Sequence, residues 1–135
     1  MKKILSQLLP SIEHKVVAVD GTVITDLSVI NEIPITNLVF DSREVTTDSL
    51  FFALPGTHID GNKFISEAIL AGANAVIYQG TLSPGNQEDI AKAIIKRSIQ
   101  NEMSQDKIKF SPVLINVADS RYAMAPVSST FYDNP

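Results

Sequence analysis

The sequence predicts an α/β fold: a single domain in which a parallel or mixed sheet is flanked by helices. Three observations predict it. Short β-branched or aromatic runs at residues 35–40, 50–54, 75–78 and 113–117 alternate with segments whose apolar residues recur at helical spacing. Strand, helix and strand in that order imply a right-handed crossover and parallel pairing. The 135 residues, 44% hydrophobic and 19% charged, suit one globular domain able to bury about two-thirds of its unfolded surface.

In chain order, Met1 to Pro10 reads as a short amphipathic helix ended by Pro10. It is not expected to be a secretory leader, because the apolar run is short, is broken by Ser6 and Gln7, and lacks a small-residue cleavage site. Val16 to Val19 and Thr22 to Ile24 flank Asp20-Gly21, a pair that favours a two-residue turn and so predicts a hairpin. Residues 25–34 read as loop. Ile35 to Phe40 predicts a strand running into Asp41-Ser42-Arg43, and Leu50 to Leu54 predicts another, with the turn formers Val45 to Ser49 between them. Phe64, Ile65, Ala68 and Ile69 share one helical face, Lys63, Ser66 and Glu67 the other, and Gly72 is the expected stop. Ala75 to Tyr78 predicts a buried strand and Gly80 to Asn86 a loop. Ile90, Ala91, Ile94, Ile95 and Ile99 mark a second amphipathic helix, with Glu88 and Lys92 spaced for an ion pair. Asn101 to Lys107 reads as a polar surface excursion and Val113 to Val117 as a buried strand. Asp119 or Ser120 caps a last helix, which Pro126 should kink or interrupt.

Composition excludes several functions. The net charge is -4 and no basic stripe appears, which argues against a nucleic-acid partner. The adjacent pairs Lys2-Lys3 and Lys96-Arg97 read as solvated helix faces. Without cysteine there is no disulfide, thiolate nucleophile or Cys-ligated metal. His14 and His58 lie far apart without ligand spacing, so no metal site is expected; His14 reads as structural or solvent-exposed. No run approaches the roughly 20 apolar residues of a membrane span, so a soluble, cytoplasmic protein with no membrane partner is expected. There is no G-x-S-x-G elbow. Gly80 to Gly85 has the glycine spacing of a P-loop, but Asn86 and Gln87 stand where Lys and Ser or Thr are required, and Pro84 removes one N–H.

One region supports a site. Gly56-Thr57-His58-Ile59-Asp60-Gly61 precedes a helix, whose first N–H groups are unsatisfied and whose dipole is positive there, so an anionic or hydrogen-bonding ligand could sit on it. The competing reading is a connection in which Asp60 or Asn62 simply caps the helix. Spacing alone favours the cap; His58 among hydroxyl and amide donors favours the ligand. At the end of the preceding strand, Ser42 could donate to a ligand carbonyl or phosphate and Arg43 could pair with phosphate. Equally, Asp41 and Arg43 could satisfy backbone and each other.

These residues carry a family resemblance. Asp41-Ser42-Arg43-Glu44-Val45, Leu50 to Gly56, Asp60-Gly61, and Phe64-Ile65 with Ala68-Ile69 and Gly72-Ala73 resemble the N-terminal domain of Mur ligases of the MurE and MurF types. These bacterial enzymes add amino acids to the UDP-N-acetylmuramoyl peptide precursor of the cell wall. The motif covers roughly residues 40–77, and Phe131-Tyr132-Asp133-Asn134-Pro135 resembles the segment before the central ATPase domain of the MurE type. The resemblance implies a UDP-binding N-terminal domain at residues 1–117. Residues 118–135 would be a terminal helix and connector toward an ATP-binding domain absent from this chain. It implies that Phe40, Ser42, Thr57, His58 and Ile59 hold the uridine diphosphate end of UDP-N-acetylmuramoyl-L-Ala-D-Glu, with Arg43 as a further phosphate contact. Phe40 and Ile59 would act through backbone or packing, the others through hydrogen bonds. ATP and Mg would serve the full-length enzyme, whose remaining domains act in cis and add the third amino acid; this segment would supply no acid, base, nucleophile or metal ligand. The alternatives are a MurF-type domain, or a free-standing binding module that kept the fold without ligase activity.

Overall fold

Side chains alternating along each strand build two apolar faces, and helices close both. The computed structural model describes residues 2–56, 60–103 and 111–133. The elements run β1 (Lys3–Ile4), α1 (Leu5–Leu8), β2 (Lys15–Val17), β3 (Pro34–Ile35), β4 (Asn37–Val39), β5 (Ser49–Phe52), α2 (Ile65–Ala71), β6 (Ala75–Gln79), α3 (Pro84–Met103), β7 (Val113–Val117) and α4 (Ser120–Phe131). The main sheet has the order β2-β7-β6-β5-β4, with β2 antiparallel to β7 and the remaining pairs parallel. The α/β expectation is therefore met by a mostly parallel sheet between two helical layers. Leu50, Phe52, Ala75, Ile77, Val113 and Ile115 face α1 and α4. Their neighbours Phe51, Ala53, Val76, Tyr78 and Leu114 face α2 and α3. A strand buried on both faces has no polar position to alternate, which is why these runs are continuously apolar.

Several local expectations change once packing acts. The chain opens as a strand pairing antiparallel with β3 (Ile4 opposite Pro34), and only then turns into the four-residue α1. Leu5, Leu8 and Leu9 are fully buried, so tertiary packing holds a helix too short to persist alone. The strand expected over 35–40 is divided. Pro34 and Ile35 pair with β1, and Asn37 to Val39 join the main sheet. The hairpin is present, but its loop has three residues: Ala18 N–H donates to the Thr22 carbonyl (2.8 Å), and Gly21 N–H to Ala18 (2.9 Å). Gly21 takes φ +90° as the left-handed residue of that loop. Gly72 does end α2, at φ +119°.

The second amphipathic helix begins at Pro84, inside the expected loop, because Ser83 accepts from Asn86 N–H (3.1 Å) and proline suits a first helical turn. It continues to Met103, into the expected surface excursion; residues 104–110 lie outside the described residues. Its buried face is Ile90, Ala93 and Arg97, whereas Ile95 and Ile99 are 61% and 53% exposed. Pro126 does not interrupt α4. Ala123, Val127 and Phe131, at every fourth residue, are buried in the core, and that burial outweighs one missing backbone bond.

Arg97, expected on a solvated face, is 4% exposed. Its guanidinium donates to the Ala73 carbonyl and to Asn74 Oδ1 (2.9 Å). Asn74, fully buried, donates in turn to the Pro34 carbonyl (3.0 Å) and Asp48 Oδ1 (2.7 Å). Ser49 Oγ donates to Asn37 Oδ1 (2.8 Å) beside them. Burial lowers the Arg97 pKa, and the Asp48 carboxylate opposes that shift. This network ties α3, β3 and the amino ends of β5 and β6 together. Lys3 of the other basic pair lies in β1 and pairs with Asp133.

Candidate functional site

In open parallel sheets ligands bind beyond the carboxyl ends of the strands, where connecting loops diverge. Here that end holds a cleft of about 450 Å³ between the exit of β4 and the start of α2. Phe40, Phe51, Leu54 and Phe64 make its apolar surface, Gly61 a backbone wall, and Asp41, Ser42, Arg43 and Glu67 its polar rim.

The polar rim follows from one turn. Asp41 is extended and caps the 3₁₀ turn Ser42–Glu44, accepting from Arg43 N–H at 2.9 Å. The Arg43 fork closes on the same carboxylate through Nε (3.0 Å) and Nη2 (2.7 Å). Hydrogen bonds from the Arg43 side chain, then its backbone, hold the Asp41 pKa down at about 2. The reading in which Asp41 and Arg43 satisfy each other is the one seen, and it offsets the charge Arg43 could offer a phosphate. Ser42 is 8% exposed, and among the described residues its hydroxyl has no hydrogen-bond partner. Phe40 is 43% exposed and leans on Phe52, ring centroids 5.2 Å apart.

The start of the helix likewise shows the capping arrangement. Asp60 Oδ1 accepts from Asn62 N–H (3.0 Å), placing a carboxylate where an anion would otherwise sit. Gly61 is pressed on the preceding strand: a Cβ there would lie 2.0 Å from the Leu54 carbonyl oxygen, so no other residue fits. Phe40, Ser42 and Arg43 are thus brought to one cleft. Thr57, His58 and Ile59 lie outside the described residues.

Sequence reasoning missed the polar crossbar beneath the cleft. Asn62, 6% exposed, donates through Nδ2 to the Gln79 carbonyl (2.9 Å). Gln79 Oε1 accepts from Ser120 N–H (2.9 Å), and Ser120 Oγ reaches the Ala53 carbonyl (3.0 Å). Asp119 is the α4 cap, accepting from Tyr122 N–H (3.0 Å). That leaves Ser120 free to enter the core; polar residues directly after buried strands are the signal that could have found it. A smaller cavity of about 280 Å³ lies at the other edge, among Lys15, Asp20, Tyr78, Gln87 and Asn116. Burial raises the Tyr78 pKa, against a hydrogen bond with Asn116.

The helix start with the glycine spacing of a P-loop is closed by its own cap. The first amides of α3 are taken by Ser83, as Asn86 N–H binds its Oγ and Gln87 N–H its carbonyl (2.9 Å). Among the described residues no group of three or more His, Asp or Glu side chains is placed to hold a metal ion. Nor is any described helix long and apolar enough to cross a membrane.

A mostly parallel sheet flanked by helices, with an aromatic, hydroxyl-bearing cleft beyond its strand ends, defines an α/β domain with one candidate site there. The chain belongs to the Mur ligase family: residues 34–132 match the model described as "Mur ligase family, catalytic domain". A Clostridium tetani protein named UDP-N-acetylmuramoyl-L-alanyl-D-glutamate--2,6-diaminopimelate ligase is 33% identical over 77% of this chain and 17% of its own length. A Treponema denticola UDP-N-acetylmuramyl-tripeptide synthetase is 35% identical over 75% of this chain and 17% of its own. These names are those of the MurE type, and the chain spans about a sixth of such relatives. A crystal structure of MurF from Acinetobacter baumannii shares the fold at TM-score 0.59 and 16% identity, over 98% of this chain and 21% of that one.

Proposed function

We propose that this chain is the substrate-holding domain of an ATP-dependent, MurE-type ligase of peptidoglycan precursor synthesis in the cytoplasm. It grips the uridine end of UDP-N-acetylmuramoyl-L-Ala-D-Glu while further domains add the third amino acid. One observation carries this reading: Ser42, a residue 8% exposed whose hydroxyl has no hydrogen-bond partner among the described residues, stands on the wall of an aromatic cleft at the strand ends. A uracil supplies what that wall lacks, a carbonyl acceptor for Ser42 and a flat face for Phe40 and Leu54. Among the described residues the rim has one cation, Arg43, already paired with Asp41, and the further carboxylate of Glu67. The cleft therefore suits the neutral base better than the diphosphate, whose contacts we assign to Thr57 and His58 on the family resemblance alone. No acid, base or nucleophile of this domain acts on the substrate. Binding energy realised at the distant uridine helps to place the reacting carboxylate, so the domain contributes positioning to a reaction completed elsewhere.

Titration with uridine and UDP, followed by amide shifts, tests this. Shifts at Phe40, Ser42 and Gly61 with millimolar uridine are expected, and UDP should add shifts around His58. No response at those three residues to either ligand would overturn the reading.

A further inference from the structure

We propose that Arg121, the second residue of α4, is a positioning residue that holds the cleft open from behind, an inference that rests on the uridine-binding reading. Arg121 Nη2 donates to the Pro55 carbonyl at 3.0 Å, and the adjacent Ser120 Oγ donates to the Ala53 carbonyl at 3.0 Å. Two successive α4 residues thus grip alternate carbonyls of the chain as it leaves β5. The residue between those carbonyls is Leu54, which lines the cleft, and Gly61 lies against the Leu54 backbone and lines it too. The far side of that wall is tied down by Asn62 Nδ2 on the Gln79 carbonyl (2.9 Å). Ser120 is fully buried and fixed, whereas Arg121 is exposed and reaches across the surface. Among the described residues no carboxylate pairs with Arg121; the ion pairs are Lys3–Asp133, Arg43–Asp41 and Lys92–Glu88. Its direction is therefore set by the Pro55 carbonyl.

An exposed arginine on a carbonyl is often no more than a surface hydrogen bond, so the test must separate stability from site geometry. The chain, its Arg121→Ala variant and its Arg121→Lys variant are titrated with uridine and, separately, with UDP. Amide exchange across Gly61, Asn62 and Lys63 is measured without ligand. A positioning role predicts that Arg121→Ala weakens uridine and UDP by the same factor, about three- to tenfold, the range for losing one hydrogen bond. Exchange at Gly61 to Lys63 should quicken while the melting temperature stays within about 2 °C. Lysine, able to make one donor contact to a carbonyl, should restore part of both. Unchanged affinity for both ligands, or unchanged exchange, would overturn the proposal. So would a loss confined to UDP, which would make Arg121 a direct phosphate contact. If the unaltered chain binds neither ligand, the proposed function fails, and exchange at Gly61 to Lys63 alone decides whether Arg121 holds the wall.

Discussion

The two ends of the sheet use polar residues in opposite ways. At the amino ends of the parallel strands, Arg97, Asn74, Asp48, Ser49 and Asn37 bond to one another and to backbone, and Asn74 and Ser49 are fully buried. At the carboxyl ends, the crossbar through Asn62, Gln79 and Ser120 is equally satisfied, but Ser42 above it is not. A buried polar atom left without a partner costs stability, and among the described residues that atom is Arg97 Nε, at the amino ends. The comparison separates a lock, whose donors and acceptors close on one another except for the buried Arg97 Nε, from an open wall, where the Ser42 hydroxyl has no hydrogen-bond partner among the described residues.

Breaking the lock should have the largest effect. Arg97→Ala leaves the Ala73 carbonyl and Asn74 Oδ1 without their donor in the interior, and should cost about 3 kcal/mol, read from the urea-unfolding midpoint. Uridine affinity of the folded fraction should not change; a parallel loss of binding would mean that the two ends are not independent. Gly61→Ala should come next, at about 2 kcal/mol, since its Cβ would lie 2.0 Å from the Leu54 oxygen. Here stability and uridine affinity should fall together, because the same contact forms the cleft wall. Ser42→Ala should weaken uridine by about 1 kcal/mol, roughly fivefold, while moving stability by less than about 0.5 kcal/mol. A stability loss with unchanged binding would place Ser42 with the lock.

The smallest effect concerns Asp41. Its carboxyl should titrate near 2 in the folded chain and move toward the ordinary 3.8 in Arg43→Gln, as followed by carboxyl-carbon shifts. A depressed carboxyl pKa favours the fold above the unfolded value, and that contribution disappears as pH falls from 3.8 through about 2. At neutral pH the exposed pair should add little, so the variant should unfold close to the unaltered chain.

Much of the fold was legible because its signals are local. The short apolar, β-branched runs at 50–53, 75–78 and 113–117 read as buried strands, and the three- to four-residue spacing of Ile65, Ala68 and Ile69 marks a helix against them. The candidate site was legible in part for the same reason, since Phe40, Ser42 and Arg43 follow the end of one such strand. The Asp41–Arg43 pair was one of two readings, and only side-chain geometry chose between them.

What stayed hidden depends on residues far apart in the chain. Helical periodicity names the apolar positions of α3 but not which of them meets the sheet. Arg97 takes a core position and Ile95 and Ile99 do not, because the carbonyls it satisfies come from the end of α2. Pro34 reads as the end of a loop and Ile35 as the start of one strand to Phe40, until β1 pairs with both. Arg121, 66 residues from Pro55, carries no mark of its reach. Local order follows from sequence because neighbours along the chain set it. Burial, pairing and the completion of polar groups follow from the fold, because their partners become neighbours only when the chain has closed.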